Sequence, residues 1–420
     1  MEIVIIGAGI CGLTAALSLH QGGFRPVVYE SVARLAPLGV GINVLPHAVR
    51  ELADLDLLES LRAIGVEIDE LVYLTRHGKR IWQEPRGLAA GYAWPQVAVH
   101  RGTLQHWLLR ETQKRLGPES VRFGQALVDV ETHDDGVTAH LFNRTSGAAG
   151  ARVEADLLLA ADGIHSAVRR KFYPDEGAPK WNGVTLWRST SQSAKVLGGR
   201  SMLWAGHARQ KFVGYPIRYD PDTGETLLNW ICELKTGDGE APPREDWNRA
   251  GRREDFLPRF ADWRWAGVDV PDLVAGANDI YEFPMVDRDP LPRWTFGRTT
   301  LMGDAAHPMY PIGSNGATQA IIDARAIAFH LATAPDPAEA LARYEADRRE
   351  ATGRIVRMNR ANGPDQVMEL AHERAPEVGD DLDALVPMAE RQAIAEGYKV
   401  IAGFDPAMMT APSPYRLPGR

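Results

Sequence analysis

Cysteine is nearly absent: two residues in a chain of 420, Cys11 and Cys232. That pair alone builds neither a disulfide framework nor a thiolate metal site, so no metal is expected. The scarcity suits a reducing cytosol, and a cytoplasmic location is the expectation. Basic residues are also in deficit. Lys and Arg number 47 against 55 Asp and Glu, a net charge of −8. No Arg/Lys-rich stripe or basic amphipathic helix occurs, so neither nucleic acid nor a membrane is an expected partner. Repeats and low-complexity tracts are missing. Long apolar runs are missing too, with one exception, Ile3 to Leu19. It could pass for a signal peptide, but Glu2 stands where a basic segment would precede it, and Gly7, Gly9 and Gly12 punctuate it at a motif spacing.

What is present is ordinary for a globular protein: 45% hydrophobic and 24% charged residues, enough chain for two or three domains. Ile3–Ile6 is a β-branched run, Gly7–Gly12 a tight turn, Leu13–His20 a helix and Pro26–Tyr29 a second strand, together a βαβ unit. The spacing of Val49, Leu52, Leu55, Leu58 and Leu61 predicts one helix over Pro46–Ile64, and Thr103–Arg115 a further one. Ala126–Thr132 and Val137–Phe142 read as a hairpin across Asp134-Asp135-Gly136, followed by one apolar strand, Val153–Ala160. From Lys180 to Glu282, Trp, Tyr, Pro and Gly become dense among short alternating runs, including Met202–Trp204, Phe212–Tyr219 and Leu227–Glu233. That is the pattern of an antiparallel sheet, which Leu71–Ile81 and Ala93–Val99 are expected to join. Ala338–Met358 is a charged helix, and the tail after Pro364 ends in a Pro-rich stretch (Pro412, Pro414, Pro418) that is expected to be peripheral. The class is α/β: a nucleotide-binding domain interrupted by a mainly antiparallel β domain.

Three motifs carry chemistry. Gly7-Ala8-Gly9-Ile10-Cys11-Gly12 fits G-x-G-x-x-G between a strand and a helix. There the glycines permit a tight turn, approach of a pyrophosphate and close helix–strand packing. Glu30 ends the next strand, 18 residues past Gly12, where a carboxylate can accept from both ribose hydroxyls of an adenosine and would repel a 2′-phosphate. Second, the strand Leu157–Ala161 runs into Asp162-Gly163 and a helix holding Ser166 and Arg169. Asp162 reads equally as a plain helix cap. Third, Thr300–Met302 leads into Gly303-Asp304, then Pro311-Ile312-Gly313-Ser314-Asn315-Gly316-Ala317 opens an Ala-rich helix. Asp304 at a strand end can bind a polyol or serve as a cap. The helix start can stabilise negative charge.

In this order the three motifs resemble the single-component FAD-dependent aromatic hydroxylases of the para-hydroxybenzoate hydroxylase family. The resemblance covers most of residues 1–350. Pro37–Asn43, Glu84–Gly87, His100–Gly102 and Met285–Pro292 look like the branch that hydroxylates phenazine carboxylates in secondary metabolism. It implies a Rossmann-like FAD-binding domain, a parallel sheet plus a three-stranded β-meander, over 1–70, 98–178 and 283–362. A substrate-binding sheet would take 71–97 and 179–282, and a helical or irregular tail 363–420. It also implies roles. Gly7, Ala8, Gly9, Gly12 and Glu30 would hold the ADP half of FAD, and Arg101 and Gln105 its pyrophosphate. Asp162 would lie where FAD and NAD(P)H both pass, and Asp304 would bind the ribitol. Gly41 and Ile42 would line the isoalloxazine, with Pro311, Gly313, Ser314, Asn315, Gly316 and Ala317 around its ring.

The implied reaction consumes NADH or NADPH and O2. A flavin C4a-hydroperoxide transfers one oxygen to a small electron-rich aromatic, with or without loss of a carboxylate. Tyr215 resembles a family position that faces substrate, though packing within a sheet accounts for it equally. Arg188 and His207, with Arg209, could meet a substrate carboxylate or stay structural. Trp187 and Trp204, with Trp181, are candidate pocket walls. Cys11 reads as a small buried residue. An oxidase without oxygen insertion also fits the motifs. A halogenase does not, because its Gly-Trp signature is missing; a plain dehydrogenase explains only the first motif; and an idle FAD-binding protein would have lost contacts that all stand. Monomer and homodimer are both open.

Overall fold

The computed structural model describes residues 1–36, 39–193, 196–237, 249–265 and 267–418. Pro37 and Leu38, the first two residues of the Pro37–Asn43 motif, lie outside the described residues.

The run Ile3–Ile6 is buried throughout and sits inside a parallel sheet. Val27–Tyr29 pairs with it on one side and Leu157–Ala160 on the other, in register at Val4↔Val27 and Ile3↔Leu157. Thr299–Leu301 continues the sheet in parallel, and Thr295–Phe296 and Val121–Arg122 form its edges. Strands covered on both faces have no polar side to show, which is why they read as unbroken apolar runs. The register brings Ile6, Tyr29, Ala160 and Leu301 to one end of the sheet. Each of the three motifs and Glu30 begins where one of these strands stops. Segments about 300 residues apart in the chain therefore meet at the carboxyl ends of parallel strands, where open α/β sheets bind ligands. The helices Ile10–Gln21 and Gly316–Thr333 pack together against this sheet.

Gln125–Thr132, Val137–Asn143 and Ala148–Ala155 form the three-stranded meander. The strand expected over Val153–Ala160 is two strands. Ala148–Ala155 belongs to the meander and Leu157–Ala160 to the parallel sheet. The chain changes sheets at Asp156, whose carboxylate accepts from the Glu2 backbone N–H at 2.6 Å.

The second large sheet has seven strands, in the order Tyr281–Asp287, Lys180–Ser193, Thr226–Lys235, Gln210–Tyr219, Ser201–His207, Glu70–Leu74 and Arg80–Pro85. Its neighbours are antiparallel apart from Ser201–His207 with Glu70–Leu74. The expected run Leu71–Ile81 is a hairpin. The run Ala93–Val99 does not join this sheet: Gln96–His100 is the centre of a small sheet between Gly41–Val44 and Val66–Ile68.

Two other expectations change. Pro46–Ile64 is two helices, Pro46–Ala53 and Leu58–Arg62, because the chain turns at Asp56, which has φ +60°. Asp tolerates that left-handed conformation better than most residues. Val49, Leu52, Leu55 and Leu61 are buried as the spacing implies, but past the turn Leu57 is buried and Leu58 only partly so, so the break shifts the stripe. The Pro-rich stretch is not peripheral, since Tyr415 and Leu417 are buried there, and the rest of the tail packs as well. Val367, Met368, Ala371, Leu382 and Val386 pack under the seven-stranded sheet. Arg391, Ala395, Tyr398 and Ala402 form the buried stripe of the helix Met388–Ala402, and Tyr398, Phe404 and Met409 cluster with Leu45 and Tyr92. Proline near the end marks turns there, not loss of packing. Among the described residues, no helix is long and apolar enough to cross a membrane.

Candidate active site

The glycine loop has closed and open positions. A Cβ on Gly7 (φ +102°) would stand 2.5 Å from the Ala161 carbonyl oxygen, and one on Gly12 would stand 2.0 Å from the Gly7 carbonyl oxygen. A Cβ on Gly9, Gly163 or Gly316 would meet no protein atom within 4 Å, and all three glycines line one cavity. Glu30 is nearly buried. One carboxylate oxygen accepts from the Ala8 N–H at 2.8 Å, and the other accepts from the Val32 N–H at 2.9 Å and the Ser31 hydroxyl at 3.0 Å. The Gln105 amide donates to the Ala8 carbonyl at 2.8 Å. These bonds hold Ala8 from both sides. Cys11 donates its thiol to the Ala320 carbonyl at 3.5 Å, and burial pushes its pKa well up, so it stays a packed thiol.

Asp304 and Arg101 both face the cavity. Enclosure by protein raises the Asp304 pKa, while His307 and Arg101 pull it down. His307 is buried and bonded to Asp323 at 2.6 Å. Asp323 also accepts from the Gly303 N–H at 3.0 Å and from Arg348 at 2.9 Å. Asp162 spends one oxygen on the Ala167 N–H at 2.7 Å, as a cap would. The other is buried without a partner, and burial raises the pKa. Arg169 from the second motif donates to the carbonyls of Ala305 and Ala306 at 3.1 and 3.0 Å, tying the second motif to the third.

Pro311, Gly313, Ser314, Gly316 and Ala317 line the same cavity, and the helix Gly316–Thr333 starts there without a side-chain cap. The helix Ile10–Gln21 starts uncapped at Gly9. Two helix N-termini with free N–H groups thus open into one cavity, beside glycines with room where a Cβ would be. An anionic, extended dinucleotide with a polyol linker and a flat anionic ring fits these groups.

The far wall is the seven-stranded sheet. Leu186, Arg188, Trp204, Lys211, Val213, Tyr215, Ile231 and Glu233 line it with Phe283 and Met285, and the whole cavity, glycine loop included, has a volume of about 350 Å³. Gly41 joins the two halves. Its N–H donates to Asn229 Oδ1 at 2.7 Å, its carbonyl accepts from Arg188 at 3.0 Å, and a Cβ would stand 2.7 Å from both Asn229 and the Tyr215 ring. Ile42 and Asn43 line the cavity beside it. Tyr215 is buried, which pushes its pKa up to about 12 against the pull of Arg188. Burial lowers the Arg188 pKa, and the guanidinium Nε is buried without a hydrogen-bond partner, as is Trp204 Nε1.

The structure does not bring every sequence candidate here. Trp187 is on the opposite face of the sheet, because neighbours along a strand point to opposite sides. It stacks on Phe256 and donates to Glu282 at 3.1 Å. His207 stacks on His372 at 3.7 Å between the sheet and the tail, and burial lowers its pKa to about 4. Trp181 and Arg209 do not line the cavity either. Conversely, three charged residues at the cavity were not foreseen. Lys211 Nζ lies 3.0 Å from Glu233 and 2.6 Å from Asp365, all three nearly buried. A Lys and a Glu at the ends of two apolar runs, Phe212–Tyr219 and Leu227–Glu233, were the available signal.

Two of the phenazine-branch motifs hold ion pairs to segments distant in the chain. Arg86 pairs with Glu84, which also meets Lys399 of the tail at 2.7 Å. Asp287 is paired with Arg360, and Arg288 with Glu176 at 3.0 Å.

The FAD binding domain family profile matches residues 1–359. Phenazine 1,6-dicarboxylic acid hydroxylase PhzS of Lysobacter antibioticus is 46% identical over 362 residues, 86% of this chain and 89% of that protein. 3-Hydroxybenzoate 6-hydroxylase 1 of Aquipseudomonas alcaligenes is 33% identical over 366 residues, 86% of this chain and 88% of that protein. The crystal structure of Klebsiella pneumoniae HpxO with FAD and uric acid matches with a TM-score of 0.73 at 26% identity, over 98% of this chain and 97% of that one.

Proposed function

The chain belongs to the FAD binding domain family and is an FAD-dependent aromatic hydroxylase, and we propose that its substrate is a small aromatic or heteroaromatic carboxylate, with NADH or NADPH as reductant and O2 as co-substrate. One observation carries the substrate class. Arg188 enters the pocket among Leu186, Val213, Ile231 and Phe283 with a buried, unpartnered Nε–H, and Trp204 adds a second unspent donor. Buried donors left unpaired are costly, and a carboxylate would satisfy them. That the relative named above is a dicarboxylate hydroxylase supports the same reading.

Bound FAD would supply the activation of oxygen. Gly7, Ala8, Gly9, Gly12 and Glu30 would hold its ADP half, Arg101 and Gln105 would serve the pyrophosphate, and Asp304 would take the ribitol. Asp162 would offer its spare oxygen nearby. Gly41, Ile42 and the turn from Pro311 to Ala317 would enclose the ring system. Tyr215 stays protonated at neutral pH, since its pKa is about 12. It therefore donates a hydrogen bond to the substrate rather than removing a proton. Leu186, Val213, Ile231, Phe283 and Met285 exclude water.

The test is coenzyme oxidation with a panel of phenols, hydroxybenzoates and phenazine carboxylates, followed by product mass. Oxidation that rises with one carboxylated compound, giving a product one oxygen heavier, supports the proposal. Additional loss of carbon dioxide selects the decarboxylative course. Peroxide alone with every compound favours an oxidase. Arg188→Gln is expected to raise KM for the carboxylated substrate by roughly tenfold to a hundredfold, the effect of losing a hydrogen bond to a charged group. Equal losses on an uncharged analogue would remove Arg188 from that role. Asp304→Ala is expected to weaken FAD retention about tenfold, read as the flavin-to-protein ratio after gel filtration. Wild-type flavin content there would withdraw the ribitol assignment.

A further inference from the structure

We propose that Tyr398, on the C-terminal helix Met388–Ala402, is a positioning residue for the turn from Ile312 to Ala317, so that the tail completes the flavin half of the site. The inference rests on the placement of the flavin ring beside that turn, argued above.

The turn is unusual in its backbone. Gly313 and Ser314 have φ of +70° and +58°, two left-handed residues in succession, one of them not glycine. Such a conformation persists where surrounding structure holds it. The neighbouring Asn315 does not cap its own helix. Its amide donates instead to the Gly313 carbonyl at 3.1 Å and to the Tyr398 hydroxyl at 2.7 Å. The Tyr398 hydroxyl donates in turn to Asn359 Oδ1 at 3.1 Å, and Asn359 donates to the Tyr310 carbonyl at 3.1 Å. One phenol therefore brackets the turn from both ends. Its place is tight as well: a Cβ on Gly313 would stand 1.9 Å from the Tyr398 oxygen. The bonding continues inward, from Gln319 to Asn315 at 3.3 Å and from Arg348 to Gln319 at 2.6 Å. Arg348 meets Asp323, which holds the Gly303 N–H. A single buried network thus joins the tail, the 312–317 turn and the Gly303-Asp304 turn. The matched family profile ends at residue 359 and so assigns nothing to Tyr398.

Tyr398→Phe keeps the ring and removes the hydroxyl, leaving one of the two Asn315 amide hydrogens without an acceptor and Asn359 Oδ1 without that donor. The experiment titrates FAD into the full-length apoprotein by flavin fluorescence and records the absorption spectrum of the bound flavin. The expected result is a Kd for FAD raised about threefold to tenfold, the range for one buried hydrogen bond, with a shifted flavin spectrum. Tyr92→Phe is the control. Its hydroxyl donates at 2.7 Å to the Phe404 carbonyl in the same tail cluster and does not touch the turn. It is expected to lower the unfolding temperature with FAD affinity and spectrum unchanged. Wild-type affinity and spectrum in Tyr398→Phe overturn the inference, as do equal shifts in Tyr92→Phe. If Tyr398→Phe is wild-type while Asp304→Ala has lost FAD, only the role of Tyr398 falls. If both bind FAD normally, the placement of the flavin falls with it.

Discussion

Lys211→Met is expected to destabilise the protein by about 3–5 kcal/mol at neutral pH, the range for removing one partner of a buried ion pair. Lys211 is the cation between Glu233 and Asp365, and no side chain of the three is more than 8% exposed. The substitution leaves two carboxylates facing each other out of water. Burial already raises the Glu233 pKa, and Lys211 is the largest influence opposing that rise. Without the ammonium it rises further. A carboxyl whose folded pKa lies above its unfolded value binds its proton more readily in the folded state. The deficit is therefore full at neutral pH and shrinks as the pH falls toward the unfolded value. Urea unfolding followed by Trp fluorescence at pH 7.5 and pH 5.5 would show it. Glu233→Gln with Asp365→Asn, added to Lys211→Met, should recover most of the loss at pH 7.5. A deficit that is the same at both pH values, or below about 1 kcal/mol, would mean that water reaches the cluster and screens it.

Gly12→Ala and Gly9→Ala are expected to weaken FAD binding by different routes. The Gly12 Cβ would stand 2.0 Å from the Gly7 carbonyl oxygen and 3.2 Å from the Ile5 side chain. A backbone oxygen cannot swing aside, so the helix Ile10–Gln21 must move off the strand Ile3–Ile6. Overpacking of that kind costs about 1–3 kcal/mol or more. Apoprotein stability and FAD affinity should fall together, the affinity by roughly a hundredfold or more, since each 1.4 kcal/mol is a factor of ten. The Gly9 Cβ meets no protein atom within 4 Å. Gly9→Ala should leave the melting temperature of the apoprotein unchanged and still weaken FAD, because the methyl group enters the ligand's space. A Gly9→Ala protein with normal FAD affinity would show that the pyrophosphate passes elsewhere.

Much of this was legible in the residues. The three motifs could be read because each pairs an apolar run with glycines that only a special turn requires. The meander announced itself through Asp134-Asp135-Gly136. What was not legible depended on direction and on distant partners. Trp187 and Arg188 are adjacent, yet one faces a packed core and the other the cavity. Leu186 and Trp187, on opposite faces of strand Lys180–Ser193, are both buried, so alternation gave no sign of which face was which. The strand Ala148–Ala155, built mostly of alanine and glycine, is mostly exposed and held by pairing with its neighbour, not by an apolar face. Lys211 could be noticed as a charge in an apolar run, but its second carboxylate, Asp365, comes from a tail that lies beyond the reach of the resemblance. Tyr398 was hidden for the same reason: its partners Asn315 and Asn359 are polar residues far away in the chain, and no local pattern predicts such a bond.

The order of the parallel sheet has a consequence for synthesis. The strand Ile3–Ile6 leaves the ribosome first, and Val27–Tyr29 soon covers one of its edges. Its other edge waits for Leu157–Ala160, about 150 residues later, and that strand waits in turn for Thr299–Leu301. At roughly 5–20 residues per second, the nascent chain carries an open β-edge for about ten seconds or more before its first partner emerges. The whole nucleotide pocket stays unfinished until the segment from Asp304 to Ala320 has been made, so FAD can act as a checkpoint only after that point. Products terminated before it would present a bare apolar strand to chaperones and proteases, with no ligand able to rescue them.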